Sequence, residues 1–199
     1  MRIAVLGTGS VGSSLATALQ AAGHDVARGS RSPRPDDGTV GNAEAVNGAD
    51  VVLTALPGQA VLPTLEHLGG GALEGKVVLD VSNAFTEDFT LEYPGDSVAL
   101  QVQQRFPRAR VVKSLNTMNV AVMTDPSGTA PGSSVFLSGD DEEAKRAVRG
   151  LLGDLGWAEA SMLDLGGIAT SIATEHYALL FLALMGALGT PEFNIAVIR

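Results

Sequence analysis

The sequence predicts an α/β fold: a doubly wound, mostly parallel sheet with helices on both faces, closed by a short C-terminal strand-plus-helix extension. Three observations predict it. Short apolar runs alternate with stretches of helical spacing along most of the chain, the pattern of successive strand–helix–strand units. The first run, at residues 2–6, leads straight into Gly7-Thr8-Gly9-Ser10-Val11-Gly12 and then into helical spacing over 11–22. A second run, at 24–29, follows at the distance one crossover needs and ends in Gly29-Ser30-Arg31.

The remaining elements follow in order. Residues 32–48 hold Pro33, Pro35, Asp36, Asp37 and Gly38, which disfavour a full helix, although a helical turn fits at 42–46. Residues 50–56 read as a buried strand ending at Pro57-Gly58, 59–68 as a helix, and 76–81 as a strand ending at Ser82-Asn83. A helix is expected over 97–106, then a strand over 110–115 that ends at Asn116-Thr117. A strand at 134–138 precedes a helix through Leu152, whose first turn takes acidic residues from Asp140-Asp141-Glu142-Glu143. A weaker strand spans 157–163, the chain is mostly helical from Gly166 to Pro191, and 193–198 looks extended. Residues 1–153 therefore read as a nucleotide-binding domain and 154–199 as an extension packed on it.

Composition narrows the classes. The 199 residues suit one domain with a full core plus a helical extension. Thirteen basic against 22 acidic side chains leave −9, which argues against nucleic acid as a partner. The absence of cysteine excludes disulfides, thiolate catalysis and cysteine metal sites. The N-terminus enters a strand at once, so export is not expected and the protein reads as cytoplasmic. The most apolar run, 177–188, is shorter than the roughly 20 residues a bilayer span needs, and it reads as a buried or subunit-packing helix with no membrane role.

The glycine spacing carries the chemistry. In a Rossmann-type strand–turn–helix the first glycine makes the tight turn and the second admits a pyrophosphate. The third lets the helix pack close, with its N-terminus aimed at the anion. Gly7, Thr8, Gly9, Ser10, Val11 and Gly12 are thus candidate cofactor-binding residues. A site preferring NAD places Asp or Glu at the end of the second strand to hold the ribose 2′-hydroxyl. No carboxylate stands at 28–30; Ser30 and Arg31 follow, with Arg34 close behind, and a guanidinium with a hydroxyl suits a 2′-phosphate. NADP (NADPH) is the expected cofactor. Leu56, Pro57, Ser82 and Asn83 lie at other strand ends facing the same crevice, and Leu56, Pro57, Met118 and Val120 could form its walls.

Those strand ends offer amides and hydroxyls but no histidine or carboxylate poised for acid–base work, so no catalytic residue is assigned. Asp80 sits two positions before Ser82 and reads equally as structural. Lys113 lies inside its strand and reads as surface or structural, although a lysine there could protonate a carbonyl. His24 fits a turn, His67 a helix end, and His176 a solvated or interface position; no metal site follows from them. A nucleotide site with few proton-transfer groups suits hydride transfer between a nicotinamide and a flavin-like ring, because the cofactors carry the reaction.

The segments from Met1 to Gly12, Gly23-His24-Asp25-Val26 and Gly29-Ser30-Arg31, with Leu56-Pro57, Glu175 at the head of an apolar helix and Phe193-Asn194-Ile195, resemble the NADPH-dependent reductases of the deazaflavin coenzyme F420. The resemblance implies that Thr8, Ser30 and Arg31 contact the 2′-phosphate and that F420, or a flavin, is the co-substrate lying near the C-terminal helix. Residues 32–49 are shorter than in that family, so the adenine side is expected to be open. F420 bears a phosphate and a polyglutamate tail, and the only cationic cluster is Arg105, Arg108, Arg110 and Lys113, near a loop at the opposite end of the sheet. Alternatives are a pyrroline-5-carboxylate-reductase-like imine reductase, for which little chain remains after Gly153, and a non-catalytic NADP-binding redox sensor or regulatory module. The apolar C-terminal helix suggests a homodimer, with a small-molecule co-substrate as the other partner.

Overall fold

The computed structural model describes residues 1–198. Strands β1 (Arg2–Leu6), β2 (Asp25–Ser30), β3 (Thr39–Gly41), β4 (Val51–Thr54), β5 (Val77–Asp80), β6 (Arg110–Ser114), β7 (Val135–Gly139) and β8 (Met162–Asp164) form one sheet in the order β3-β2-β1-β4-β5-β6-β7-β8. Their connections carry helices α1 (Ser10–Ala21), α2 (Asn42–Val46), α3 (Gly58–Glu66), α4 (Val98–Arg105), α5 (Val120–Thr124), α6 (Pro126–Thr129) and α7 (Glu142–Asp154). Helix α8 (Ser171–Leu188) follows the last strand.

The central strands are buried on both faces, which is why they read as continuous Val/Leu/Ile runs. Alternate residues feed two cores. Ile3, Val5, Leu53 and Leu79 pack with Leu15 and Leu19 of α1. Ala4, Leu6, Val52 and Val78 pack with Val61 and Leu65 of α3 and Val102 of α4. The strand order reverses between β1 and β4, so a crevice opens above their carboxyl ends. Helix α7 begins as its acidic start predicts: Asp141 accepts from Ala144 N–H at 2.7 Å, with Glu142 and Glu143 in the first turn.

Several expectations are corrected. Residues 39–41 form edge strand β3, too short to show a period, paired to Arg28–Ser30. Strand β7 runs antiparallel to β6, because the short helices α5 and α6 join them in place of a full crossover. The strand expected over 157–163 is confined to Met162–Asp164; Trp157 is buried, its indole N–H donating to the Met123 carbonyl at 3.2 Å. Residues 193–198 form no strand, although Ser134 N–H donates to the Ile195 carbonyl at 2.8 Å. The chain is helical over Ile168–Leu188, within the stretch expected from Gly166, and this run, longer than 177–188, is long and apolar enough, by length and composition alone, to cross a membrane.

Helix α8 has an inverted pattern. Its buried positions are Ser171, Thr174, Glu175 and Ala178. Leu179, Leu180 and Leu188 are exposed. Near its end Phe181 stacks on Phe193 with ring centres 4.9 Å apart.

Candidate functional site

The turn after β1 is built for close approach. Gly7 has φ +123°, and a Cβ there would lie 2.2 Å from the Ala55 carbonyl oxygen. A Cβ on Gly12 would lie 2.1 Å from the Gly7 carbonyl oxygen, so only glycine lets α1 start this near the strand. Gly9 caps α1 without a side-chain hydrogen bond, and a Cβ on it would meet nothing within 4 Å. The first-turn N–H groups of Ser10, Val11 and Gly12 have no acceptor within the helix, and the positive end of the helix dipole lies behind them. That donor set fits a pyrophosphate.

Three adjoining clefts run from this turn along the end of β2, and Ser30 lines all of them. The first, about 310 Å³, brings together Gly7, Thr8, Gly9, Ser30, Arg31, Leu56 and Pro57. The second, about 570 Å³, is polar and is formed by Thr8, Arg28, Ser30, Ser32, Arg34, Asp37 and Thr39. The third, about 670 Å³, has Pro33, Ala60, Pro63 and Leu68 as walls, with Arg31, Asn42 and His67 at its rim. The short 32–49 segment gives this cleft Pro33, Gly41, Asn42 and Ala43, and α3 with the turn after it gives the facing residues.

Arg31 has no carboxylate within 4 Å among the described residues, while Arg34 lies 3.8 Å from Asp37. Ser30 Oγ accepts from Ser32 N–H at 3.1 Å, which fixes the loop as it leaves the strand. Arg28, Ser13 and Thr39 were not singled out from the sequence, yet their side chains gather here. The signal for Arg28 was present: it occupies the strand end where a carboxylate was sought.

Ser82 and Asn83 are not brought into the clefts. Ser82 Oγ donates to Asp80 at 2.7 Å and its carbonyl accepts from Lys113. Asn83 donates to the Asn116 carbonyl at 2.7 Å and accepts from the Asn116 side chain at 2.9 Å, a reciprocal pair that joins the ends of β5 and β6. Between them and Lys113, Leu115 holds a left-handed φ of +63°.

Beneath this pair lies an ion cluster. The Lys113 ammonium, its side chain fully buried, is 2.7 Å from Asp80 and 2.7 Å from Glu175. Asp80 also accepts from Thr54 Oγ1 at 2.7 Å, and Glu175 from the Val98 N–H at 2.9 Å. Burial opposes the charge on Lys113, but Asp80 and Glu175 outweigh it and hold the ammonium above the usual lysine range. Burial raises the Glu175 carboxyl, with Lys113 opposing and Asp80 adding to the rise. The surface reading of Lys113 is overturned; its position is structural.

Lys113 also leaves the cationic cluster expected near residue 110. Of the rest, Arg105 pairs with Glu66 at 2.6 Å, Arg108 pairs with Glu74, and Arg110 donates to the Gly75 carbonyl at 3.0 Å. The three histidines have separate partners. His24 lies 3.0 Å from Asp154, His67 2.6 Å from the Pro63 carbonyl, and His176 accepts weakly from Gly95 N–H at 3.4 Å.

Comparison with known proteins adds the lineage. Residues 2–84 match the family model described as NADP oxidoreductase, coenzyme F420-dependent. A crystal structure from Arthrobacter sp. FB24, provisionally described as an F420-dependent NADP-reductase, is 37% identical with a TM-score of 0.92, covering 100% of both chains. Metalloreductase STEAP3 of Rattus norvegicus is 29% identical over 187 residues, 87% of this chain, which spans 36% of the length of that curated relative. An imine reductase from Pseudomonas sp. shares the fold at 20% identity and TM-score 0.68, covering 94% of this chain and 62% of the other.

Proposed function

Because the chain belongs to the F420-dependent NADP oxidoreductase family, we propose that it transfers a hydride between NADPH and coenzyme F420 or a flavin-like acceptor. The observation that carries the cofactor half is the meeting, at the end of β2, of unpaired arginine charge with the uncapped start of α1. The α1 N–H groups would hold the pyrophosphate. Thr8, Ser30, Arg31 and Arg34 would hold the 2′-phosphate, and the 670 Å³ cleft would take the adenine against Pro63 and Leu68. Leu56 and Pro57 would bound the nicotinamide side.

NADPH, when bound, supplies the hydride. The chain's own residues hold and orient the reacting rings and exclude water, with no proton relay demanded of them. The carboxylates and lysine closest to the strand ends are already spent on one another. The exposed leucines of α8 support a homodimer through that helix.

The test is to mix the protein with NADPH and oxidised F420 and follow bleaching of the deazaflavin's visible absorption, with NADH, free flavin and a ferric chelate in parallel. Rapid bleaching with NADPH and slow bleaching with NADH is the expected result. Tight NADPH binding with no F420 turnover would overturn the acceptor and favour another acceptor or a sensor.

A further inference from the structure

Arg28 holds a position that the cofactor reading does not use. It stands on β2 one residue before the close-packed Gly29, paired in register with Thr39 of β3. One terminal nitrogen donates to Ser13 Oγ at 3.1 Å and the other to the Asp37 carbonyl at 3.2 Å. Nε is buried and has no partner. A guanidinium has five N–H groups; two are engaged and the Nε–H is buried, so one on each terminal nitrogen remains for a ligand. Ser13 Oγ in turn donates to the Thr8 carbonyl at 3.2 Å, which ties the guanidinium to the glycine turn.

Among the described residues no carboxylate lies within 4 Å of Arg28. Among the described residues only Arg28, Arg31 and Lys76 share that property, and the Lys76 ammonium donates to the Ala49 carbonyl, away from the clefts. The two arginines both stand at the end of β2, Arg28 lining the 570 Å³ cleft and Arg31 the 310 and 670 Å³ clefts, with Ser30 common to all three. A half-buried guanidinium without a counter-charge is costly to keep, and a phosphate monoester carries about −1.5 to −2, enough for both.

We infer that Arg28 is a second phosphate-recognising residue, meeting the NADPH 2′-phosphate from the strand side while Arg31 meets it from the loop, and that it helps set the preference for NADPH over NADH. This rests on the NADP reading above. The polar cleft gives it the room: Arg28 lines the 570 Å³ space together with Thr8, Ser30 and Ser32. The far side of that space is held in shape by Thr39 Oγ1, which accepts from Arg34 N–H at 2.8 Å. The strand position supplies rigidity that an exposed loop arginine lacks, so the charge is placed before the ligand arrives.

The experiment compares Arg28→Met, Arg28→Lys and the parent chain by calorimetric titration with 2′,5′-ADP, 5′-AMP, NADPH and NADH. Arg28→Met is expected to weaken 2′,5′-ADP and NADPH by about tenfold or more, with 5′-AMP and NADH unchanged. Its binding of 2′,5′-ADP should also depend less steeply on salt. Arg28→Lys should recover part of the loss. Equal weakening of all four ligands would make Arg28 a structural brace and overturn the inference, as would no change in any. If Arg28→Met fails to fold, Arg28→Lys with parental affinity ratios would overturn it alone. A parent chain that binds 5′-AMP as tightly as 2′,5′-ADP would bring down the NADP reading itself, and the inference with it.

Discussion

Replacing Lys113 by methionine would leave Asp80 and Glu175 buried around an apolar side chain of similar length. Both lie at the 2.7 Å contact the ammonium now makes, and their side chains are 0% and 4% exposed, so water has no ready access to compensate them. Removing one member of a buried ion group costs about 3–5 kcal/mol. For a chain of 199 residues each kcal/mol moves Tm by about 2–4 °C, so Lys113→Met should lower Tm by roughly 6–20 °C at pH 7. Circular dichroism melts measure it. The sign of the pH dependence is a second check. Without the cation Glu175 loses the partner that opposes its rise, so the folded state binds a proton there more readily and stability falls as pH rises. The deficit against the parent should therefore shrink between pH 7 and 5, and Asp80→Asn added to Lys113→Met should shrink it at pH 7. A Tm loss under about 2 °C, or a deficit that grows on acidification, would refute the argument.

Four further outcomes are expected. Glu175, raised above 4.5, costs stability as pH climbs past that value, so Glu175→Gln should flatten the stability–pH slope above pH 4.5 in urea titrations; an unchanged slope would count against the burial argument. Arg31→Met should weaken NADPH by about tenfold or more and leave NADH unaffected, read by fluorescence titration. Gly12→Ala places a methyl 2.1 Å from the Gly7 carbonyl oxygen; displacement of α1 should cost about 1–3 kcal/mol and abolish nucleotide binding. The homodimer proposed through α8 predicts a dimeric parent in light scattering and a monomeric Leu180→Asp, at a position 52% exposed, with the monomer's stability unchanged; a monomeric parent would refute it.

The glycine turn and the arginines after β2 were legible because they are local. The turn needs only a strand, a spacing and a helix, all within residues 2–21; the steric reason for Gly12, the Gly7 carbonyl, sits in the same segment, whereas that for Gly7 comes from Ala55 after β4. The central strands were legible for a similar reason: burial on both faces leaves an unbroken apolar run. Strand β3 was not, since three residues at an edge carry no period and their pairing with β2 is decided by the loop that returns them. The reversed direction of β7 was equally hidden, because it follows from how α5 and α6 shorten the connection. At the site, Ser82 and Asn83 stand at a strand end as expected, yet their side chains turn to Asp80 and Asn116. No sequence pattern announces partners 33 positions away.

The ion cluster shows why residue type alone misled. Asp80, Lys113 and Glu175 come from β5, β6 and α8, with Lys113 33 positions from Asp80 and 62 from Glu175. Each read alone suggests a surface or a strand interruption; together they fix which face of α8 turns inward. A helix on a soluble core ordinarily buries its leucines and exposes its polar residues. Helix α8 buries Ser171, Thr174 and Glu175 and shows Leu179, Leu180 and Leu188 instead, because Lys113 and the Val98 N–H claim the glutamate. The lysine thereby orients an apolar surface outward, the surface on which the proposed homodimer rests. The buried charge and the exposed leucines are therefore one feature. Disturbing Lys113 should loosen the inner contact of α8 and, with it, the homodimer proposed for its outer face.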